Sequence, residues 1–329
     1  MLTKTVVPDA AVEALLEPWG RVARIVPLEG GMFASVSRVD LVDGRRVVVK
    51  VTGADTSRLL RYEHGVLGTE AQVDRLAHAA GLPVPEVLLH DDSGRHVDGE
   101  ALVTTFLDGE LWSSLSLKEP VAAGVRRELG RFMAKLHTIV GDRYGYPAPA
   151  SALAGRTWPE AFAAMVAAAG DDAGRWDVDI PVDRLRHAVA RYRAVLAEVT
   201  VPRLVHADLW PGNVLLDADR CVVGVLDAER ALWGDPLFEL AGSDQLAAGA
   251  VDADTVRGYR DAGGDLGVGS GTPDDGDAAA WTRLRLYRAY FACLLAVEVV
   301  PRAYTGDWVA GHAGTARANL DRLLGELGC

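Results

Sequence analysis

The sequence has little cysteine, no long apolar run and no excess of positive charge, and each absence excludes a class of protein. The three cysteines, Cys221, Cys293 and Cys329, have no metal-ligand spacing and cannot form a disulfide framework, so we expect a reducing compartment. No apolar stretch approaches the ~20 residues that span a bilayer, and the polar N-terminus has no apolar signal core. We therefore expect a cytoplasmic protein without a membrane partner.

The formal net charge of −12 argues against a nucleic-acid partner, because duplex binding relies on clustered Lys and Arg side chains. An acidic surface keeps a protein soluble, and it is also compatible with a cationic small substrate. Hydrophobic residues make up 49% of the chain and charged residues 24%, which indicates a globular protein rather than a disordered or fibrous one.

The apolar pattern changes about one third of the way along the chain. The first part reads as antiparallel strands with one helix, and the rest reads mostly as long helices. At 329 residues the chain is long for a single core, so we predict an α+β fold with two lobes, residues 1–107 and the larger, mostly helical 108–329. The predicted strands cover 21–51, 86–89, 101–105 and parts of 203–227, the helices cover 63–80, 121–140, 158–169, 182–199, 281–299 and 315–327, and 261–277 is an exposed loop.

The strongest chemical signal is a polar loop between two apolar strands. His206, Asp208 and Asn213 lie in this loop, so their side chains should meet where the two strand ends come together. Phosphoryl transfer needs a carboxylate that accepts the proton of the attacking hydroxyl, and an oxygen ligand for the metal that bridges the phosphates. Asp208 and Asn213 have the spacing for these two roles. His206 either braces the loop or takes part in proton transfer, and we favour the brace.

A second carboxylate follows the next apolar strand. Residues 221–226 form this strand and Asp227 ends it, so a hairpin around 217–220 would bring Asp227 to the same loop. Mg²⁺ favours carboxylate and phosphate oxygens and needs only one or two carboxylates when ATP supplies other ligands. We therefore predict Asp227 as the main magnesium ligand, helped by Asn213, with Glu229 supporting a second metal or the loop.

The pattern His-x-Asp-x-x-x-x-Asn, followed by a strand that ends in Asp, resembles the catalytic and metal-binding loops of the protein-kinase-like superfamily. The residues around Asp208, together with Asp227, Glu229 and Gly234-Asp235-Pro236, resemble the aminoglycoside phosphotransferase and choline kinase branch. The resemblance implies a bilobal kinase-like fold and a small-molecule kinase that uses ATP and Mg²⁺. Ala207 stands where this family commonly has Gly, and the loop is also similar to that of fructosamine kinases, so the subfamily stays open.

Two residues of the first lobe complete the expected nucleotide site. Lys50 ends an apolar strand and matches the lysine that holds the α- and β-phosphates of ATP in the resembled family. Glu70 falls on an apolar helical stripe with Val66 and Val73, and a buried carboxylate requires a cation. We therefore predict that Glu70 pairs with Lys50, with Glu63 as the second choice of partner.

Backbone groups supply the remaining nucleotide contacts in this interpretation. Gly30 and Gly31, with Ser35 just beyond them, lie at a strand turn whose amides would cover the phosphates, although the G-x-G-x-x-G pattern is missing. Thr105 and Leu107 lie at the expected hinge between the lobes, where their backbone groups would bind the adenine edge. The sequence does not choose between ATP and GTP, or between a monomer and a homodimer.

The helical second half should select the acceptor, since the first lobe and hinge are committed to ATP. Carboxylates that line a cleft attract an aminated sugar, so the first hypothesis is a resistance-type kinase acting on an aminoglycoside or related amino-sugar compound. The second is a metabolic kinase acting on an amine, a sugar or a fructosamine. The third is a nucleotide-binding pseudokinase, but the sequence keeps all of the expected active-site residues, Lys50, Asp208, Asn213 and Asp227, which argues against it. The acidic candidates are Asp171, Asp172, Asp177, Asp179, Asp235, Glu239, Asp244, Asp274, Asp275 and Asp277, and Trp158, Trp176, Trp233 and Trp308 could stack on a sugar or fill the core.

Overall fold

The first part of the chain forms a five-stranded antiparallel sheet. The computed structural model describes residues 4–28, 33–247, 249–269 and 276–329. Because side chains alternate across a strand, Val49 and Val51 share one face of the sheet, which packs against helix α1 (Asp9–Leu16), and Lys50 lies on the other face. The strands are β1 (Val22–Leu28), β2 (Ser35–Leu41), β3 (Arg46–Gly53), β4 (Val87–Asp91) and β5 (Gly99–Thr105), in the spatial order β1-β2-β3-β5-β4.

Helix α2 (Val66–Ala79) packs against the face of the sheet that carries Lys50. Leu67 of the helix packs against Leu102 of the sheet. The helix ends before Gly81, whose φ of 69° is the left-handed conformation that commonly follows a helix. This packing directs the buried side chain of Glu70 toward the sheet residue Lys50.

The second part of the chain is mostly helical. Its helices are α3 (Val121–Leu136), α4 (Trp158–Arg175), α5 (Val182–Arg191), α6 (Arg193–Leu196), α7 (Phe238–Ser243), α8 (Ala253–Asp261), α9 (Ala278–Val297) and α10 (Trp308–Glu326). Helix α4 starts with a capping box, in which Thr157 and Glu160 bond each other's backbone N–H groups. Helix α9 is buried on almost all sides, including Trp281, Tyr287 and Phe291, so it forms the centre of the helical core.

Two small antiparallel sheets position the loops of the helical part. The short strands are β6 (Glu110–Leu111), β7 (Tyr144–Gly145), β8 (Ala154–Gly155), β9 (Arg203–Val205), β10 (Val214–Leu216), β11 (Val222–Val225) and β12 (Leu232–Gly234). One sheet has the order β11-β10-β6 and the other has the order β8-β7-β12-β9. Strands β9 and β10 flank the predicted catalytic loop, so each small sheet fixes one end of it.

The sheet-then-helices architecture agrees with the sequence prediction, but several details of the second part were wrong. The short strands outside 203–227 were not predicted, because strands of two or three residues are too short to show an alternating apolar pattern. The helix predicted over 182–199 is broken into α5 and α6, and α7 and α8 were not predicted. The segment 261–277 is not wholly exposed, since Leu266 and Val268 are buried.

Two further expectations concern the chain as a whole. None of the helices in the described ranges is long and apolar enough to cross a membrane. The sheet, α1 and α2 precede residue 107 and the other helices follow it. A lobe boundary at 107–108 remains our proposal.

Candidate active site

Residues 206–213 connect β9 to β10 and form the loop in which the sequence predicts the catalytic groups. Strands β10 and β11 form a hairpin in which Val214 pairs with Val225. The amide of Leu226 donates a hydrogen bond of 2.9 Å to the carbonyl oxygen of Asn213. The hairpin therefore returns Asp227 to the loop that contains Asp208 and Asn213.

A buried carboxylate that we had considered for the acceptor holds this loop instead. Glu239 of α7 accepts the backbone N–H groups of His206 and Ala207 at 2.8 and 2.9 Å. Ala207 has a φ of 61°, a left-handed conformation that costs a residue with a Cβ roughly 1–2 kcal/mol. Glycine adopts this conformation without strain, which gives a physical reason for the family's preference there. Gly242 packs so closely that a Cβ on it would lie 2.2 Å from the carbonyl oxygen of Ala207.

His206 is placed as a brace. Its ring is buried, and Nε2 lies 3.1 Å from the carbonyl oxygen of Leu226, which lies between the end of β11 and Asp227. The histidine therefore links the two segments that carry Asp208 and Asp227. The bracing role of His206, which we favoured over proton transfer, remains our proposal.

Asp208 is almost buried and lies between two amide side chains. Its Oδ2 accepts from Nδ2 of Asn213 at 2.8 Å, and its Oδ1 accepts from Nε2 of Gln245 at 2.9 Å. The guanidinium of Arg230 lies 3.7 Å from Oδ1. Burial raises the pKa of Asp208, and Arg230 partly offsets this effect. A carboxylate with a raised pKa is a better proton acceptor than a solvated one.

Lys50 bridges the sheet, α2 and the segment after β11. Its Nζ donates to Oε1 of Glu70 at 2.6 Å and to Oδ1 of Asp227 at 2.9 Å. Burial would lower the pKa of Lys50, but the attraction of the two carboxylates outweighs it and raises the pKa. The lysine is therefore a permanent cation next to both carboxylates.

The two carboxylates predicted as metal ligands differ in their protonation. Burial would raise the pKa of Asp227, but the nearby Lys50 ammonium lowers it, so Asp227 is ionised at neutral pH. Burial and the Asp227 charge raise the pKa of Glu229 to about 8. Within the described ranges, no three acidic, histidine or cysteine side chains cluster as a metal-binding set.

The second choice of partner for Lys50 has another role. Glu63 is fully buried, and its Oε1 accepts from Nε of Arg302 at 2.8 Å. Its Oε2 accepts the backbone N–H of Leu60 at 2.8 Å. Glu63 therefore neutralises an arginine of the second part of the chain, and of the two glutamates predicted as partners it is Glu70 that contacts Lys50.

The other predicted nucleotide residues are only partly placed near Lys50. The Ser35 hydroxyl bonds the backbone of Thr5, and Ser35 pairs with Val51 on the opposite face of the sheet, so its side chain does not reach Lys50. The amide of Thr105 donates to the carbonyl oxygen of Glu86 at 2.9 Å, which removes it as an adenine donor. Leu107 lies two residues after the end of β5, at the proposed lobe boundary, and Gly30 and Gly31 lie outside the described residues.

Several acidic candidates for the acceptor site are held by arginines or backbone amides. Asp235 accepts from Arg283 at 2.9 Å, and Asp244 accepts from Arg288 at 2.5 Å. Asp171 lies 3.6 Å from Arg186, Asp172 accepts the backbone N–H of Arg61, Asp277 caps α9, Asp177 and Asp179 are exposed, and Asp274 and Asp275 lie outside the described residues. Among the tryptophans, Trp158 and Trp233 are buried, Trp176 is half-buried and Trp308 is 49% exposed.

Sequence reasoning missed three residues beside the site. Arg230 and Gln245 contact Asp208, and neither lies in a periodic or motif position that would indicate this. Asp74 lies one turn after Glu70 on α2, and burial and the Glu70 charge raise its pKa well above the ordinary value. The helical stripe that revealed Glu70 could have indicated Asp74 as well, because both residues are buried on the same helix.

Comparisons with known proteins identify the family and the fold of the chain. Residues 24–287 match the model of a phosphotransferase enzyme family, APH, whereas no curated protein matches the chain. The solved structure of aminoglycoside phosphotransferase APH(4)-Ia has a TM-score of 0.63 at 19% identity, covering 98% of this chain and 100% of that one. A candidate aminoglycoside phosphotransferase from Ralstonia eutropha JMP134 has a TM-score of 0.63 at 13% identity, with 98% and 99% covered. A candidate fructosamine-3-kinase from Thermobifida fusca YX-ER1 has a TM-score of 0.60 at 21% identity, with 94% and 98% covered.

The structural likeness extends over nearly the whole chain and confirms the bilobal protein-kinase-like fold. The family match covers most of the chain, including Lys50, the 206–213 loop and Asp227. The chain belongs to the APH phosphotransferase enzyme family and is a small-molecule kinase.

Proposed function

We propose that the protein transfers the γ-phosphoryl group of ATP to a hydroxyl group of a small molecule, with Asp208 as the base that accepts the hydroxyl proton. One observation carries this proposal: a proton acceptor, an amide oxygen and a cation–carboxylate pair meet around one loop. Asn213 contacts Asp208, Asp227 is close enough to raise its pKa, and Lys50 contacts Asp227. Positioning and charge stabilisation of this kind are what phosphoryl transfer needs.

The residues present fit a magnesium ion. Nδ2 of Asn213 donates to the backbone carbonyl and to Oδ2 of Asp208, so the side-chain oxygen Oδ1 of Asn213 is left for a cation. The side chain of Asp227 is 36% exposed and ionised. Bound magnesium would neutralise charge on the phosphates and take its remaining ligands from ATP and water. Glu229 is the second candidate, because a cation beside it would displace the proton that its raised pKa of about 8 retains at neutral pH.

ATP is the proposed nucleotide, and GTP is the alternative. Related structures were solved as complexes with ADP and hygromycin B, with AMP-PNP and hygromycin B, and as a streptomycin–ATP ternary complex. In this chain Lys50 and the backbone amide of Ser35 would bind the phosphates; Gly30 and Gly31, the other residues predicted for this role, lie outside the described residues. The carbonyl of Thr105 and the backbone of Leu107 would bind the adenine edge.

We propose an aminoglycoside or related amino-sugar compound as the acceptor. The support comes from the acceptors in the related structures and from the net charge of −12. A fructosamine, an amine or a sugar is the second candidate class. Arginines neutralise Asp235 and Asp244, so these carboxylates are not available to a cationic substrate, which favours the uncharged sugar within this class.

The test is incubation with ATP, Mg²⁺ and a panel that contains hygromycin B, streptomycin, a fructosamine and choline, with ADP release and product mass as readouts. Phosphorylation of an amino-sugar antibiotic supports the first class, and phosphorylation of the fructosamine or choline alone contradicts it. Asp208→Asn should keep ATP binding and lower turnover by about 10²-fold or more. Asp92→Asn, at an exposed position, is the matched control. An Asp208→Asn variant as active as the wild type would refute the assigned role.

A further inference from the structure

Gln245 connects the segment that follows α7 to Asp208. Its Nε2 donates to Oδ1 of Asp208 at 2.9 Å, whereas Oδ2 is held by Asn213. Asn213 belongs to the catalytic loop itself. Gln245 belongs to the segment 244–247 that follows α7, in the half of the chain that should select the acceptor.

The segment 244–247 is fixed on both sides of Gln245. Asp244 accepts from Arg288 of α9 at 2.5 Å, and the carbonyl oxygen of Leu246 accepts from the side chain of Asn319 on α10. Gln245 itself has a φ of 23°, a conformation that a residue with a Cβ keeps only when its surroundings impose it. The helices α9 and α10 therefore hold the glutamine against Asp208.

The side chain of Gln245 has hydrogen-bonding capacity left for a ligand. A carboxamide carries two N–H donors and an acceptor oxygen, and within the described part of the chain its only hydrogen bond is the one to Asp208. An ionised carboxylate offers roughly four lone-pair sites, so two amide donors leave room for an acceptor hydroxyl on Asp208. A polar group next to that hydroxyl would lie within reach of Gln245.

We propose that Gln245 contacts the acceptor and selects compounds that carry a second hydroxyl or an amine next to the hydroxyl that is phosphorylated. The ligand class is therefore a vicinal diol or amino alcohol. This inference rests on the proposed function, because it requires Asp208 to bind the reacting hydroxyl.

Gln245→Leu tests the inference, since it removes the carboxamide and keeps most of the side-chain volume. Two reactions are measured: phosphorylation of each panel acceptor that the wild type accepts, and slow ATP hydrolysis with water as the acceptor. We expect kcat/KM for the acceptor to fall about 10- to 100-fold, because a site built to bond a polar group discriminates by that group. The KM for ATP should stay within about twofold. ATP hydrolysis should fall by a smaller factor than the acceptor reaction, because both reactions lose the hydrogen bond to Asp208 but only the acceptor loses a polar contact. Gln72→Leu, the same substitution at an exposed position of α2, is the matched control and should change neither reaction.

Each other outcome has a definite meaning. Equal losses in both reactions would overturn the inference, because Gln245 would then act on Asp208 alone. Unchanged acceptor kinetics would overturn it as well. A deoxy analogue that lacks the neighbouring polar group should be a poorer substrate for the wild type but not for Gln245→Leu. If the wild type phosphorylates no panel acceptor, the acceptor proposal fails before any variant is made, and the inference fails with it.

Discussion

Two of the junctions between the first part of the chain and the second use similar charges in opposite surroundings. The exposed junction consists of Arg46, Phe106 and Asp108. The Arg46 guanidinium donates to Asp108 at 2.8 and 2.5 Å and lies 4.8 Å from the centre of the Phe106 ring. The side chains of Arg46 and Asp108 are 39% and 73% exposed, so water and salt screen their attraction.

The buried junction consists of Tyr62, Glu63, Arg230, Glu298 and Arg302. Arg302 donates to Glu63 and to the hydroxyl of Tyr62, and Arg230 donates to Glu298 at 2.9 Å. All five side chains are buried, so each charge depends on its partners rather than on water. Arg230 also lies beside Asp208, so this junction reaches the proposed base. The comparison indicates that the buried junction, just before the N-terminal end of α2, contributes more to holding the two parts together than the exposed junction at the hinge.

Removing one charge from the buried junction should cause the largest loss of stability to unfolding. Arg302→Met leaves Glu63 buried without its main cation, and breaking such a pair costs about 3–5 kcal/mol of stability. Urea unfolding should therefore show a large fall in the midpoint. Adding Glu63→Met to this variant should recover part of the loss, because the unpaired charge is removed. If Arg302→Met alone is as stable as the wild type, the buried junction does not contribute more to stability than the exposed one.

The second-largest effect should be on the acid dependence of stability, to which Glu298 of the buried junction contributes. Burial would raise the pKa of Glu298, but Arg230 and Arg302 outweigh it and lower the pKa below the ordinary 4.5. The stability that Glu298 contributes is therefore complete above about pH 4.5 and is lost as the pH falls through the lower folded-state pKa. Glu298→Gln should reduce the slope of unfolding free energy against pH in that window, by at most about 1.4 kcal/mol per pH unit. Urea titrations between pH 3 and 6 would reveal it, and an unaltered slope would contradict it.

Removing a charge from the exposed junction should have the smallest effect on stability. Its hydrogen bond to Arg46 lowers the pKa of Asp108, but both side chains are largely hydrated. Asp108→Asn should leave the urea midpoint close to that of the wild type, and any difference should vanish in high salt. A loss as large as that of Arg302→Met would mean that the hinge contact matters as much as the buried one.

The sequence predicted what depends on short-range pattern. Asp208, Asn213 and Asp227 lie within twenty residues, on strands whose apolar runs mark the connecting loops. Glu70 was found because a helical stripe of apolar residues contains one carboxylate, and Lys50 because it ends an apolar strand and matches a lysine of the resembled family. Each of these residues carries its signal in its neighbours along the chain. Their catalytic and binding roles remain our proposal.

Long-range partners could not be predicted in this way. Glu63 and Arg302 are 239 positions apart, and a charged residue does not indicate which opposite charge it will meet. The register that puts Ser35 opposite Val51 turned its hydroxyl away from Lys50, and no turn pattern fixed that register beforehand. Gln245 lies in a segment without periodicity, so only the fold of α9 and α10 brings it to Asp208.

The two hydrogen bonds of Lys50 differ in what they connect. Glu70 lies on α2, which packs against the sheet that carries Lys50, so the Lys50–Glu70 bond is internal to the first part of the chain. The bond from Lys50 to Asp227 connects the sheet to the segment that follows β11. A movement of the sheet away from the catalytic loop should therefore break the bond to Asp227 and leave the bond to Glu70 intact.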